Sequence, residues 1–248
     1  MPSSNIYESP RLLDEYLLFH YAKESEILPT SEIPYPSAMR EALGFTQRTV
    51  GHFDNKPVAH GLDLGCAVGA STFAMAENCA AVIGIDFSHA FINAADRLRC
   101  GEVISFHRHD EAMLQKILST NVIATELREK VNFEQGDAMN LRADLGGFDR
   151  VHAANLLCRL TNPNDLLEKF PSLVKLGGEL IIATPCTWLQ EFTPPQHWPA
   201  PDTFSWLRKQ LEKNFTLELS THEPFLIRET ARKFQWSLSQ LTKWRRHA

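Results

Sequence analysis

No stretch of this chain approaches the roughly 20 consecutive apolar residues needed to span a bilayer. The N-terminal MPSSNIYESP has neither the basic nor the apolar region of a secretion signal. These absences predict a cytoplasmic protein that does not meet a membrane. Cysteine is scarce: Cys66, Cys79, Cys100, Cys158 and Cys186 make five, an odd count with no CxxC pair. That pattern excludes a disulfide framework and fits reduced thiols. Positive charge is not in excess either. Lys and Arg number 25 against 30 Asp and Glu, a net charge of −5, which argues against nucleic acid as a partner. The basic end formed by Lys243, Arg245 and Arg246 reads as solvated. His107-x-His109-Asp110 has no second cluster to complete a metal site, so no metal is expected. Internal repeats and low-complexity segments are lacking, which predicts one domain.

What is present is centred on Leu62–Thr72, LDLGCAVGAST. It reads as a buried strand (Val58–Leu64), a turn of small residues, and the opening of a helix (Ala70–Asn78). Gly65, Ala67, Gly69 and Ala70 let the backbone come close to a ligand, and the helix turns its N–H groups toward the same space. Alternation then continues, with strand Ala81–Ile85, helix Ser88–Cys100, strand Val131–Gln135, strand Phe148–Ala153 and helix Pro163–Val174. Strand Glu179–Ala183, helix Thr203–Lys213 and strand Phe215–Ser220 follow. Arg232–Arg246 reads as a long edge strand. Between the second and third sheet strands, VISFHRH is expected as a short strand and EAMLQKILS as a helix. Upstream, Ser9-Pro10 starts an aromatic-rich helix, ILPTSEIPYPS is loop, and a helix runs from Ala38 to about His52. The expected fold is α/β, a doubly wound, mostly parallel seven-stranded sheet with an N-terminal helical lid.

Ligands of such sheets bind outside the carboxyl ends of the strands. The residues there are Asp63, Gly65, Cys66, Ala67 and Gly69, then Asp86 and Phe87, then Asp137 and Ala138, then Asn155. Asp86 is placed to accept both hydroxyls of a ribose, Phe87 to lie against an adenine, and Asp137 with Ala138 to meet the adenine edge. Gly65-Cys66-Ala67-Val68-Gly69 lacks the glycines of the dinucleotide fingerprint GxGxxG. The acids favour a ligand with a cationic amino-acid end over a pyrophosphate. S-adenosylmethionine, with a sulfonium, an ammonium, a ribose and an adenine, matches them. A nicotinamide dehydrogenase is the weaker alternative.

LDLGCAVGAST with Asp86 and Gly136-Asp137-Ala138 resembles the class I S-adenosylmethionine-dependent methyltransferases from about Val58 to Ser220. Flanking segments are more specific. YESPRLLDEYLLFHYA, VHAANLLCRL, ATPCTWLQEFTPPQ and PFLIRETARKFQWSLSQLTKWRR resemble the methyltransferase domain of ovothiol-biosynthesis proteins, the 4-mercaptohistidine N1-methyltransferases. The resemblance implies residues 1–57 as lid segment and 58–248 as cofactor-binding core. It implies methyl transfer to an imidazole nitrogen of 5-thiohistidine, with Asn155 orienting the acceptor. In that family the domain is commonly fused behind an iron-dependent sulfoxide synthase, for which 248 residues leave no room. The resemblance therefore implies a synthase as partner or fused domain. A methyltransferase for another small amine, thiol or imidazole, and a cofactor-binding module supporting a synthase, are the alternatives.

An amino-acid acceptor needs a carboxylate binder and a platform for its ring. Arg228 and Arg232 are candidates for the first, because guanidinium grips carboxylate with paired hydrogen bonds. Trp188 is a candidate for the second. Tyr7, Tyr16, His20 and Tyr21 on the aromatic N-terminal segment are candidates to cover the ligand.

Overall fold

The structure is a computed structural model that describes residues 6–31 and 34–248. The opening residues of the N-terminal segment and the middle of the proline-rich loop lie outside them. Nine strands are described: β1 (Val58–Leu64), β2 (Cys79–Asp86), β3 (Ser105–Glu111), β4 (Leu114–Ser119), β5 (Val131–Gln135), β6 (Phe148–Ala154), β7 (Val174–Thr184), β8 (Phe215–Arg228) and β9 (Phe234–Arg246). Seven form one sheet in the order β5-β2-β1-β6-β7-β9-β8. The pairs from β5 to β7 are parallel, and β9 runs antiparallel to both β7 and β8. The chain moves outward from β1 to β2 and β5, then returns to β6 on the other side of β1. The sheet thus has a topological switch point between β1 and β6, where a crevice opens at the carboxyl ends.

Side-chain alternation sorts the core into two layers. Leu62, Leu64, Val151, Leu180 and Ile182 face one cluster with Trp206, Leu207, Phe215 and Trp244. Ile181 and Ala183 face the other, which contains Phe73, Phe91, Phe133 and Phe225. That second layer also holds Leu17, Leu18, Ile27 and Phe45. The N-terminal helices Pro10–Tyr21 and Phe45–Val50 are therefore part of the sheet's own core.

Four expectations change. EAMLQKILS forms β4, antiparallel to β3, because VISFHRH supplies a partner in register from Ser105↔Ser119 to Glu111↔Leu114. The C-terminal stretch is an interior strand, and β8 is the edge. Its basic end is also not simply solvated. Lys243 is buried and pairs with Asp54 at 2.6 Å and Glu179 at 2.9 Å, and Arg245 pairs with Asp54 at 2.9 Å. The expected long helices at 38–52 and 163–174 each break into two short ones, at Gly44 (φ 70°) and around Pro171.

The β8–β9 hairpin is long. Pairing of β7 with β9 ends at Thr184↔Gln240, whereas β8 and β9 stay paired to Arg228↔Phe234. The hairpin arms thus rise past the carboxyl edge of the sheet. There Phe225 packs against Phe19 and Phe45, with centroids 6.2 and 5.3 Å apart. A wall of hairpin and N-terminal helix stands beside the crevice.

Close packing behind the crevice leaves no room at Gly84 in β2. A Cβ there would lie 2.7 Å from Thr72 Oγ1 and 2.8 Å from Phe133 Cδ1. Gly84→Ala should cost about 1–3 kcal/mol in urea unfolding. Because the displaced Thr72 hydroxyl holds Asp63, cofactor affinity measured by calorimetry should fall as well.

Candidate active site

The turn after β1 is set by its glycines. Gly65 has φ 71° and Gly69 φ 89°, and Ala67 between them also lies in the left-handed region at 47°. A Cβ on Gly69 would meet Phe133 Cζ at 2.7 Å, so the position is closed to side chains. The N–H groups of Gly65 and Cys66 both donate to the Ile85 carbonyl at 2.8 and 3.2 Å, tying the turn to β2. From above, the Tyr21 hydroxyl donates to the Val68 carbonyl at 2.6 Å.

Asp63 sits beneath this turn, 1 % exposed. One oxygen accepts the hydroxyls of Ser71 (2.6 Å) and Thr72 (2.7 Å); the other meets His152 Nδ1 at 2.8 Å. Asp63 and His152 are register partners on β1 and β6, so their side chains share a face. Burial raises the Asp63 carboxyl, but the hydrogen bonds from His152, Ser71 and Thr72 outweigh it and hold the group below its ordinary value. His152 Nε2 continues to Thr49 Oγ1 at 3.1 Å.

Asp86, at the end of β2, is held differently. Its two oxygens accept one backbone N–H each, from Ala67 and Ser88, both at 2.9 Å. That leaves lone pairs for further donors. Burial pushes its carboxyl up to about 6, against the two N–H groups, with Asp63 and Glu8 adding repulsion. Phe87 beside it is 59 % exposed. Asp137 spends one oxygen on the Met139 N–H at 2.8 Å, and Ala138 is buried below. Asn155 follows β6 in the left-handed region (φ 55°), with its N–H on the Ala183 carbonyl and its Oδ1 accepting the Ser239 hydroxyl at 2.6 Å. The Nδ2 end is thereby presented as a donor.

An aromatic group from the N-terminal segment closes over this crevice. Tyr16 packs on Phe91 at 4.7 Å, Tyr7 on Phe91 at 5.9 Å, and His20 lies 5.8 Å from Tyr16. Burial pushes the Tyr16 phenol well up, with Tyr7 and Asp86 adding to it, so it is a neutral donor at physiological pH. Burial holds the His20 imidazole down to about 4, and its Nδ1 is buried with no hydrogen-bond partner among the described residues.

Several expected roles need correction. Asp63 and the Cys66 thiol are buried beneath the turn, so Asp63 supports the site and does not reach into it. The Tyr21 hydroxyl is committed to the turn. The Trp188 indole donates to Thr203 Oγ1 at 2.9 Å and packs edge-on against Trp206, a packing role. Arg228 is 3 % exposed, donates to the Ile27 carbonyl at 2.8 Å and pairs with Asp110 at 2.7 Å. It locks the β8–β9 hairpin to β3 and to the N-terminal segment, and does not face an acceptor. Arg232 lies in the exposed turn between β8 and β9. Sequence reasoning missed Arg159, on the turn Leu157–Arg159 after β6, which enters the crevice beside Tyr7 and Phe192. A lone arginine ending the apolar run NLLCRL was the available clue. His107 and His109 both face Asp14, at 3.3 and 3.5 Å, and no metal-binding group of three or more His, Cys, Asp or Glu occurs among the described residues.

The family model of a methyltransferase domain matches residues 55–223, more than half of the chain. The chain belongs to this family. It is an S-adenosylmethionine-dependent methyltransferase with the Rossmann-like fold of the class. Solved structures agree on the fold. The N-methyltransferase NodS from Bradyrhizobium japonicum WM9, in complex with S-adenosyl-L-homocysteine, is 15 % identical with a TM-score of 0.56 over 85 % of this chain and 96 % of that one. The YcgJ protein from Bacillus subtilis is 10 % identical, TM-score 0.56, over 82 % and 98 %. A protein whose structure concerns conversion of a disulfide bond into a thioacetal group during echinomycin biosynthesis is 18 % identical, TM-score 0.52, over 77 % and 77 %. No curated protein sequence matches significantly.

The methyltransferase's own geometry fits the cofactor. A half-satisfied carboxylate at Asp86, an exposed ring at Phe87 and a turn whose glycines admit close approach are the features that a ribose, an adenine and a methionine tail require. No helix among the described residues is long and apolar enough to cross a membrane.

A ribose seated on Asp86 would donate to the ionised carboxylate, so cofactor binding and protonation would compete there. As pH falls through about 6 the carboxyl takes up a proton, and affinity should drop by about tenfold per unit below that. Calorimetry in two buffers of different ionisation enthalpy should show proton release on binding near pH 6, absent in Asp86→Asn. Arg228→Ala should lower stability by about 2 kcal/mol in denaturant, since a buried charge loses its partner although Asp110 keeps Arg108. Cofactor affinity should change little.

Proposed function

We propose that the protein transfers the methyl group to an imidazole nitrogen of 5-thiohistidine. When bound, S-adenosylmethionine supplies the electrophilic methyl. The observation that carries the reading is the character of the acceptor side: an amide (Asn155), a phenol held neutral (Tyr16) and an imidazole held neutral (His20) line it, and the nearby carboxylates Asp63 and Asp86 are engaged below and beside it. An imidazole lone pair is nucleophilic when neutral and needs no strong base, so orientation and exclusion of water suffice. Asn155, pinned through Oδ1, would donate from Nδ2 to the acceptor's sulfur. His20, with an unpartnered Nδ1, would accept the acceptor's second ring N–H. Tyr7 and Tyr16 would exclude water.

The flanking segments support this acceptor class by their resemblance to ovothiol-biosynthesis methyltransferases. A sulfoxide synthase, as separate partner or fused domain, would supply the thiolated histidine. A cytoplasmic setting belongs to the same reading and is supported by five free thiols.

Turnover of 5-thiohistidine, histidine and an ergothioneine-type thiol should be compared by product mass. The expected result is kcat/KM for 5-thiohistidine at least about tenfold above the others, and a fall of about tenfold in Asn155→Ala with cofactor affinity retained. Cofactor binding without turnover of 5-thiohistidine would overturn the reading and favour a silent cofactor-binding module.

A further inference from the structure

Buried arginines in this fold come with carboxylates. Arg150 pairs with Glu179 at 3.2 Å, and Arg228 with Asp110 at 2.7 Å. Arg159 is half-buried and has none among the described residues. Its Nη1 donates to the carbonyls of Cys158 (3.2 Å) and Thr187 (3.4 Å) and reaches Cys158 Sγ at 3.4 Å. The guanidinium carbon lies 4.7 Å from the centroid of Phe192, and the group hydrogen-bonds with the phenol of Tyr7. Tyr7 in turn packs on Phe192 at 6.4 Å and on Tyr16 at 6.4 Å. The side chain is thus oriented by two carbonyls through one nitrogen, flanked by rings, and left with a charge that no carboxylate among the described residues neutralises.

Its position matters as much as its charge. Arg159 follows β6, across the switch point from Asp86 and the turn after β1, and its carbonyl partner Thr187 follows β7. That is the side of the crevice left for the acceptor once the ribose sits on Asp86.

We propose that Arg159 anchors the acceptor by gripping a carboxylate that the acceptor carries, between its guanidinium and the phenol of Tyr7. The acceptor class is therefore an anionic small molecule, with an amino acid fitting best. A desolvated guanidinium held in place by backbone carbonyls loses little freedom on binding, and a carboxylate completes its hydrogen bonds. The proposal rests on the crevice being a methyl-acceptor site, and not on thiohistidine in particular.

The test is calorimetry on protein loaded with S-adenosylhomocysteine, using two ligand pairs. One is 5-thiohistidine and its carboxylate-free amine; the other is imidazole-4-propionate and 4-ethylimidazole. Wild type should bind the carboxylate member of a pair about tenfold more tightly, and Arg159→Gln should bind both members alike. Arg159→Lys, which keeps the charge but not the fork, should retain about a third of the preference. It serves alone if the glutamine variant lacks a native near-ultraviolet circular dichroism spectrum. S-adenosylhomocysteine affinity should stay within about threefold. If only the imidazole pair discriminates, the proposal stands and thiohistidine falls as the substrate. Equal affinities within both pairs, no binding by either carboxylate ligand, or a preference retained in Arg159→Gln would overturn it. So would loss of S-adenosylhomocysteine affinity with the preference intact, which would assign the guanidinium to the cofactor's own carboxylate.

Discussion

The buried carboxylate of Asp63 is the constraint on which the site depends. A charge 1 % exposed is tolerated only when its lone pairs are filled. Here they are filled by three separate parts of the chain: the helix after the turn, through Ser71 and Thr72; the neighbouring strand, through His152; and, one link further, the N-terminal helix carrying Thr49. The Thr49 hydroxyl also lies within hydrogen-bond distance of the Thr46 carbonyl, at 3.1 Å. The chain of contacts runs from Thr49 through the His152 ring to Asp63. Removing any member would strand a polar group in a dry layer.

That arrangement divides labour between two acids that look alike in sequence. Asp63 and Asp86 each end an apolar strand beside small residues. Asp63 faces the layer of helices and is consumed by the scaffold. Asp86 leans over the turn, where only two backbone N–H groups reach it. Its carboxyl is the costlier to ionise and the one with capacity for a ligand. Both residues lie on the same face of the sheet, since Asp63 is the register partner of Gly84 and Asp86 follows two positions on; the difference arises from what packs against each, a tertiary matter.

The same reasoning explains what could be read from the residues and what could not. The succession of the parallel strands, the turn after β1 and the placement of Asp86 at a strand end were legible because apolar runs and turn glycines are local facts. The breaks at Gly44 and around Pro171 went unread, although a glycine and a proline mark them locally. β4 was not, since Met113, Leu114, Ile117 and Leu118 sit at spacings that mimic a helix face. Pairing with β3 decides the matter, and Met113, Leu114 and Ile117 remain exposed. The placement of β9 inside the sheet likewise depends on a hairpin that returns between β7 and the edge.

The arginines carry that lesson to the acceptor. Arg228 and Arg159 both end segments on the crevice side, and chemistry alone would assign either to a carboxylate. Asp110 makes the distinction: it projects from the β3–β4 insertion, accepts both Arg108 and Arg228, and so draws Arg228 into the scaffold that fixes the hairpin wall. Arg159 meets carbonyls, a thiol, rings and the phenol of Tyr7, and no carboxylate among the described residues. The β3–β4 hairpin thus decides which cation is spent on structure and which is left facing the crevice. If Arg159 anchors the acceptor as proposed, acceptor recognition in this methyltransferase is a property of juxtaposed segments around the sheet, apart from the turn after β1.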